Sequence, residues 1–467
     1  MATLLAPYNT AMQLGSGFNS FTQQLCINDA VVRDSQLDDA LDKKPRVPMA
    51  QEVIYKTAVI DKVTDVTNAM NINAAFAIKY DAFDAKGKGD FINTSKVKES
   101  DASFMISVKV VNQVIYDHSL NKFDPIPDVK PEHFASVYGD SFISGFQEGG
   151  EFIAVISVKA KDRKKAVSMK ADAAINFTKE SFSLDINGEL VKTDNTFLEE
   201  NETTVSVSWS GGGQDLKPSD SDWTLDTMRA AALKFPDLVA QTPMRTHAIL
   251  TKYTSLRSFQ TALSKLTSGN DPRAIIPNYE KAGVYTTVLQ EAYLDFKTVN
   301  KNLQVMAFNV SAGTEILVES LAARRSRESK QGSPTSPRQT TEAAESDDDE
   351  SIRSSLVAVG NNPERATKPY PPTIAGLEAA RQDVRIMLNR IVAEVDMITQ
   401  KPELAVNETR AMSYMSPFLF KELLPESKPA KEKTETTTET KPQTTDSTDS
   451  SNQLGDLSEK MGTTMRF

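Results

Sequence analysis

A single cysteine, Cys26, stands in 467 residues. No intrachain disulfide can form, so the fold does not depend on an oxidising compartment, and the thiol is expected as a small buried apolar group. Long hydrophobic runs are missing as well: no stretch approaches the roughly 18 apolar residues that read as a membrane-crossing helix. Nor does a basic segment followed by an apolar one open the chain, since Met1 to Pro7 is short and ends in proline. The expectation is synthesis in the cytoplasm, with any membrane reached by association or by a leaderless route of export. Histidine is scarce. His118, His133 and His247 are the 3 present, and none has a second histidine or a cysteine at metal-ligand spacing. There is no Gly-x-Ser-x-Gly elbow, and neither Gly15-Ser-Gly17 nor Gly211-Gly-Gly213 is followed by the lysine of a phosphate loop. A metal, a cofactor and an enzymatic role are accordingly not expected. Basic charge is in deficit too: 53 Lys and Arg against 63 Asp and Glu leave a net charge of −10. That argues against nucleic acid as a partner, which needs a basic footprint.

What is present is organised around residues 138–213. Tyr138-Gly-Asp-Ser-Phe142 is followed by Gly149-Gly150, an apolar strand from Phe152 to Val158, and a return strand over Val205 to Trp209 that ends on Gly211-Gly-Gly213. Between the two strands the residues alternate. Val167, Met169, Ala171, Ala173, Ile175 and Phe177 are separated by Ser168, Lys170, Asp172, Ala174 and Asn176; Phe182, Leu184 and Ile186 are separated by Ser183 and Asp185, before an Asn187-Gly188 turn signal. Successive strand residues face opposite sides, so the pattern fits a half-buried strand of a soluble sheet. It equally fits a membrane hairpin, for which about 9–11 tilted residues suffice. An earlier stretch matches it: Ile72, Ala74, Phe76 and Ile78 alternate with Asn73, Ala75 and Ala77, a Lys86-Gly-Lys-Gly89 turn follows, and Phe104, Ile106, Val108 and Val110 resume the alternation.

The remaining chain divides by composition. Val53, Tyr55 and Val63 suggest extended structure, Asp38 to Pro45 a loop, and Glu132 to Val137 a short helix entering the Tyr138-Gly139 strand. Ser221 is placed to cap a helix through Leu233, with Pro236 as its stop and Ile249 to Tyr253 as a strand or edge segment. Helical spacing then runs from Leu263 through Val310 and returns from Ile374 to Ile398, with Met412 to Leu424 docking against it. The expected division is residues 1–255 as the main domain, 256–325 as a helical bundle, 326–372 as a disordered acidic Ser/Thr/Pro linker, 373–425 as helices returning to the bundle, and 426–467 as a disordered tail.

The order of these motifs resembles the membrane attack complex/perforin family. That family shows Tyr-Gly-Thr-His-Phe or Tyr and then a Gly-Gly hinge; here Asp140 and Ser141 stand where Thr and His are usual. Gly15 to Phe18 is similar to the family's Gly-x-Gly-Phe start, and Trp209-Ser-Gly-Gly-Gly213 precedes a helix with Trp223 and Phe235-Pro236. Phe182-Ser-Leu-Asp-Ile-Asn-Gly188 is similar to the stonustoxin-type variety. The resemblance covers residues 10–255. It implies an α+β fold, a bent central antiparallel sheet flanked by helix clusters and followed by a helical bundle. It further implies a homo-oligomeric ring or arc on membrane lipid, with a second protein component left open. The signature and hinge would be Tyr138, Gly139, Asp140, Phe142, Gly149 and Gly150, and the two alternating segments would convert into membrane hairpins. The alternative is a perforin-fold module that binds a membrane or a protein without lysis.

Overall fold

The computed structural model describes residues 4–33, 50–60, 62–81, 92, 94–161, 198, 200–216, 222–266, 275–331 and 368–430. Early in the chain lie four short strands, β1 (Leu4–Pro7), β2 (Gly17–Asn19), β3 (Gln24–Leu25) and β4 (Val31–Arg33), and then β5 (Glu52–Ile60). Helices α1 (Val63–Ala69), α2 (Ala74–Lys79) and α3 (Thr94–Glu99) precede the long strand β6 (Ala102–Tyr116). Strand β7 (Leu120–Phe123) and helix α4 (Phe134–Tyr138) lead into β8 (Ser141–Lys159), which is followed by β9 (Glu202–Ser210), α5 (Leu225–Gln241) and β10 (Met244–Lys252). The C-terminal part comprises α6 (Arg257–Leu266), α7 (Glu280–Ser311), β11 (Glu315–Val318), α8 (Leu321–Gln331), α9 (Ile374–Gln400), α10 (Pro417–Glu422) and β12 (Glu426–Pro429).

The architecture is α+β. An eight-stranded sheet with antiparallel strand pairs is built on β8. Its N-terminal part lies beside β10, which continues to β1; its C-terminal part lies beside β9; β6 and then β5 follow on the other side. Each face of the long strands is apolar, as expected of strands covered on both sides. Phe104, Ile106, Phe152, Ala154 and Ile156 meet α5, whereas Met105, Ile153 and Val155 meet α1, Val97 of α3 and Leu294 of α7.

Beyond the sheet, α7 and α9 pair through 3–4 spaced side chains. Leu289, Phe296 and Leu303 on α7 face Leu377, Val384, Met387, Ile391 and Val395 on α9. The hydrogen bond from Tyr279 to the Thr399 carbonyl, 2.9 Å, joins the start of α7 to the end of α9 and marks them antiparallel. Thr373 caps α9 by accepting from Gly376 N at 3.1 Å.

Several sequence expectations change. The alternation at Ile72, Ala74, Phe76 and Ile78 fits a strand or a hairpin that unwinds from a helix cluster, and here the segment is helical. Ala74 to Ile78 lie in α2, where Ala75 and Ile78 pack into the α7–α9 core and helix-favouring alanines assist. Val63 likewise begins a helix. Thr224, not Ser221, caps α5, and the helix continues through Pro236 to Gln241. Its buried side chains Met228, Ala232, Phe235 and Val239 recur at helical spacing, and their packing outweighs the cost of an internal proline, about 3 kcal/mol. Ile249 to Lys252 belong to a strand, one of the two forms expected of that segment, and it lies between β1 and β8. Part of the supposed linker is helix α8, and Glu426 to Pro429 of the supposed tail pair with β11. The segments Val167 to Phe177, Phe182 to Ile186, Lys86 to Gly89 and Asp38 to Pro45 lie outside the described residues.

Candidate functional site

Two separate motifs of the sequence meet at the start of β8. Gly15 has φ +81°, and an added Cβ would lie 2.2 Å from the Val31 carbonyl oxygen. Gly139 has φ +75°, where an added Cβ would lie 2.2 Å from the Phe18 oxygen. Both positions therefore require glycine for conformation and for space. Close approach of the two loops lets Gly15 N donate to Ile143 O at 2.8 Å, Ile143 N to Ser16 O at 2.9 Å and Asp140 N to Phe18 O at 3.1 Å. The Asp140 carboxylate, 1% exposed, accepts from Ser20 N and Ser20 Oγ, each at 2.6 Å. Asp140 thus fixes the loop that follows β2, a task its acceptor-only carboxylate suits.

Tyr138 and Phe142 enter an aromatic cluster with Phe123, Phe134, Tyr253 and Phe259, including a Phe134–Tyr138 centroid distance of 4.8 Å. Tyr253 donates to Tyr138 O at 2.8 Å, and burial raises the Tyr253 pKa. Cys26 lies close by. Burial, and then the negative charge of Asp140, push its thiol up to about 11.

The second pair of signature glycines marks where β8 changes neighbours. β10 ends its pairing with Met244 opposite Gly149, and β9 begins with Ser210 opposite Glu151. Register shifts flank this point, between Val111 and Gln113 on β6 and between Arg245 and His247 on β10. Bulges of this kind bend and coil a sheet. A Cβ on Gly149 would lie 1.9 Å from Val110 O, and one on Gly150 would lie 2.5 Å from Val239 Cγ2 and 2.9 Å from Phe235 Cζ. The end of α5 is therefore seated against the bend. Asn112, the bulged residue, donates to Val239 O at 3.0 Å, while Gln51 donates to Asn112 Oδ1 at 2.7 Å and to Pro236 O at 3.1 Å. Gly211, Gly212 and Gly213 all have positive φ, and Gly212 N donates to Thr242 O at 2.9 Å, closing the turn over the same helix end.

On the opposite face, His247 is fully buried. Its Nδ1 lies 3.6 Å from Glu151 Oε1, and its Nε2 lies 3.0 Å from Nδ2 of Asn71, just after α1. His247 thereby links the bend to the helices inserted between β5 and β6. Neither it nor Asn112 or Gln51 carried a sequence signal, because their roles come from residues far along the chain. The signature residues Tyr138, Gly139, Asp140 and Phe142 are gathered with Gly15 to Ser20, and Gly149 and Gly150 form the bend about ten residues on. Ile72, Ala74, Phe76 and Ile78 lie in and beside α2, next to the loop that Asp140 fixes: Asn73 Nδ2 donates to Ser20 O at 2.6 Å, and Phe21 packs in one cluster with Ala75 and Ile78.

The insertions share one end of the sheet. Residues 61–101 connect Ile60 of β5 to Ala102 of β6, and residues 160–201 connect Lys159 of β8 to Glu202 of β9; Ile60 is opposite Ser103, Ala102 opposite Val158, and Lys159 opposite Glu202. Among the described residues no helix is long and apolar enough to cross a membrane.

No family model and no curated protein matches the chain. Solved structures do. Stonustoxin is similar with 8% identity and a TM-score of 0.32, over 65% of this chain and 41% of that one. GNIP1Aa from Chromobacterium piscinae has 12% identity and a TM-score of 0.30, over 59% and 58%. A MAC/Perforin-domain protein from Bacteroides thetaiotaomicron has 13% identity and a TM-score of 0.26, over 46% and 52%. The chain thus spans less than two thirds of the length of each.

Proposed function

We propose that this chain is a perforin-like pore-forming protein, which assembles side by side on a membrane and inserts residues 61–101 and 160–201 as amphipathic β-hairpins. The observation that carries this reading is the placement of both insertions at one end of the adjacent strands β5, β6, β8 and β9. Each insertion joins two strands whose directions already suit a hairpin. Half of either one, about twenty residues at roughly 3.3 Å each, would reach about 66 Å, against a hydrocarbon core of about 30 Å. The segments Val167 to Phe177 and Phe182 to Ile186 each alternate an apolar with a mostly polar side, and Ile72 to Ile78 alternates large apolar residues with Asn73, Ala75 and Ala77.

The edges favour assembly of a particular kind. Among the described residues β5 pairs only with β6, and β9 only with β8. An even number of antiparallel strands lets β9 of one copy meet β5 of the next without breaking the alternation of direction. Such head-to-tail contacts close into rings when the rotation allows. Closure is needed in lipid, where an open sheet edge has no partner. Gly149 and Gly150 are the positions at which the sheet would flex during the change, and Asp140 anchors the end that stays in place.

The test is dye release from liposomes of natural lipid extracts, with cysteines introduced as Val63→Cys and Leu294→Cys. Both side chains belong to one apolar cluster between α1 and α7. The reduced protein is expected to release dye and form rings or arcs, and the oxidised protein to do neither. Equal leakage in both states would remove the hairpin mechanism. Binding without leakage across all extracts would support a non-lytic module instead.

A further inference from the structure

The helices of the first insertion touch the bundle across a set of ion pairs, and nearly every one joins the insertion to α7 or α9. Lys62 Nζ lies 2.7 Å from Glu291 Oε1, Lys98 Nζ 2.8 Å from Asp295 Oδ1, Lys79 Nζ 2.7 Å from Asp396 Oδ1, and Lys297 Nζ 2.6 Å from Asp81 Oδ2. Three of the four place a lysine on the insertion and a carboxylate on the bundle. Two of them border one solvent-open cleft. A cavity of about 190 Å³ opens between Val63, Val97 and Leu294, with Lys62–Glu291 and Lys98–Asp295 at its rim. From this geometry we propose that these ion pairs form an electrostatic clasp between the insertion 61–101 and the bundle, and that breaking the clasp raises the population in which the insertion is undocked while the rest of the fold stays intact.

This inference deepens the pore-forming reading and takes from it the idea that the insertion leaves its seat. The physical argument for reversibility is exposure. The side chains of Lys62 and Glu291 are 59% and 36% exposed, and those of Lys79 and Asp396 are 27% and 46% exposed. Pairs of this kind are individually weak and are screened by salt. Lys98 is the most enclosed of the lysines; burial lowers its pKa, and the Asp295 hydrogen bond opposes that fall. Both rim pairs border the same solvent-open cleft, so salt reaches the two together. On the α5 face the contacts are apolar and closely packed, with Phe152, Met228, Ala232 and Phe235 all fully buried. Salt therefore weakens the ion pairs on the insertion's face and leaves the apolar contacts of both faces in place.

Hydrogen exchange on the full chain tests the clasp without reference to membranes. Amides of α1 to α3 are compared with those of α9 from low to high sodium chloride, in the wild type, in K62E/K98E, and in K62E/K98E/E291K/D295K. Raising salt is expected to speed exchange in α1 and α3 and to leave α9 unchanged. Losing the two rim pairs should raise the open population about 2- to 25-fold, from about 1.5- to 5-fold per exposed pair. The fourfold reversal should restore protection to within about twofold of wild type, by the logic of a double-mutant cycle. Exchange that ignores both salt and charge reversal, a fourfold variant that stays open, or parallel loosening of α9 would each overturn the clasp. The outcome is separable from the pore reading: a salt-dependent clasp in a protein that never releases dye would stand while that reading falls, and dye release with a salt-insensitive insertion would do the reverse.

Discussion

Gly149 offers the sharpest perturbation of the bend. Replacing it with alanine adds one methyl group, and that atom would lie 1.9 Å from Val110 O and 2.8 Å from Val110 C. The obstacle is backbone, so no rotamer change on a neighbour relieves it. Strands β6 and β8 must separate locally by about 1 Å, an overpacking that ordinarily costs about 1–3 kcal/mol. Stretching the ladder beside Val111 adds about 1 kcal/mol for each hydrogen bond weakened. The expected loss is about 2–4 kcal/mol, which at a urea slope of about 3 kcal/mol/M lowers the midpoint by about 1 M. Gly283→Ala is the control, since nothing lies within 4 Å of its added Cβ near the start of α7. It should stabilise by about 0.5–1 kcal/mol, as alanine does in helix interiors. Gly150→Ala meets side chains as well as backbone, with Val239 Cγ2 at 2.5 Å, so adding Val239→Ala should recover part of its loss. A Gly149→Ala protein with an unchanged urea midpoint would refute the close approach inferred at the bend.

Cys26 should alkylate slowly in the native protein. With its pKa pushed up to about 11, the thiolate fraction at pH 8 falls about two orders of magnitude below that of an unfolded thiol near 8.5; native labelling as fast as unfolded labelling would contradict the burial. At Asp117, burial pushes the carboxyl up, but hydrogen bonds from Ser119 and the charge of Arg33, 2.9 Å away, hold it below the usual range. Its folded pKa is depressed, so its contribution is present above the unfolded value of about 3.9 and lost as pH falls through the folded value. Carboxyl NMR should show Ser119→Ala moving that pKa upward more than Arg33→Gln does, and the reverse order would assign the depression to the ion pair. Lys79→Met should free α2 locally by at most about 1 kcal/mol, because its partner Asp396 is largely exposed; a larger loss in hydrogen exchange would mean the pair is better shielded than its exposure indicates.

Strands β6 and β8 were legible because near-continuous apolar character marks strands covered on both faces, and β9 because Val205, Val207 and Trp209 alternate with serines on a half-buried strand. The helix from Ile374 was legible for the analogous reason, a 3–4 repeat sustained across Leu377, Val384, Ile391 and Ile398. The signature glycines were also readable as turns and hinges, and Gly15 and Gly139 do take positive φ. What escaped was set by distant partners. The alternation at Ile72 to Ile78 leaves strand and helix open, and the packing of Ala75 and Ile78 against α7 and α9 decides for helix. Pro236 read as a stop because its cost is local, whereas the contacts of Phe235 and Val239 that offset it lie on β8. Gln51, Asn112 and His247 meet their partners only after the sheet has formed. No pattern over neighbouring residues contains those encounters.

Release of the first insertion has an energetic consequence that tests the two faces of β8 against each other. Met105, Ile153 and Val155 are covered by the insertion and Leu294, so undocking returns three apolar side chains toward water. At about 1.5–3 kcal/mol each this amounts to roughly 5–9 kcal/mol, more than exposed ion pairs alone supply in either direction. New strand pairing between copies and burial of apolar side chains in lipid must offset that sum, so the isolated protein should remain closed even with the clasp weakened. Adjacent residues then give a matched comparison. Val155→Thr places a hydroxyl on the face the insertion covers, where an unpaired polar group costs about 1–3 kcal/mol in the docked state and much less once that face is wet. Ile156→Thr places it on the α5 face, which stays covered. Val155→Thr should therefore raise exchange in α1 by about 5- to 100-fold, by the conversion of about 1.4 kcal/mol per factor of ten, and speed dye release. Ile156→Thr should lower the urea midpoint without selectively exposing α1. Equal acceleration of α1 exchange by the two substitutions would show that the faces of β8 are not energetically independent, and the insertion would then come away only with the fold itself.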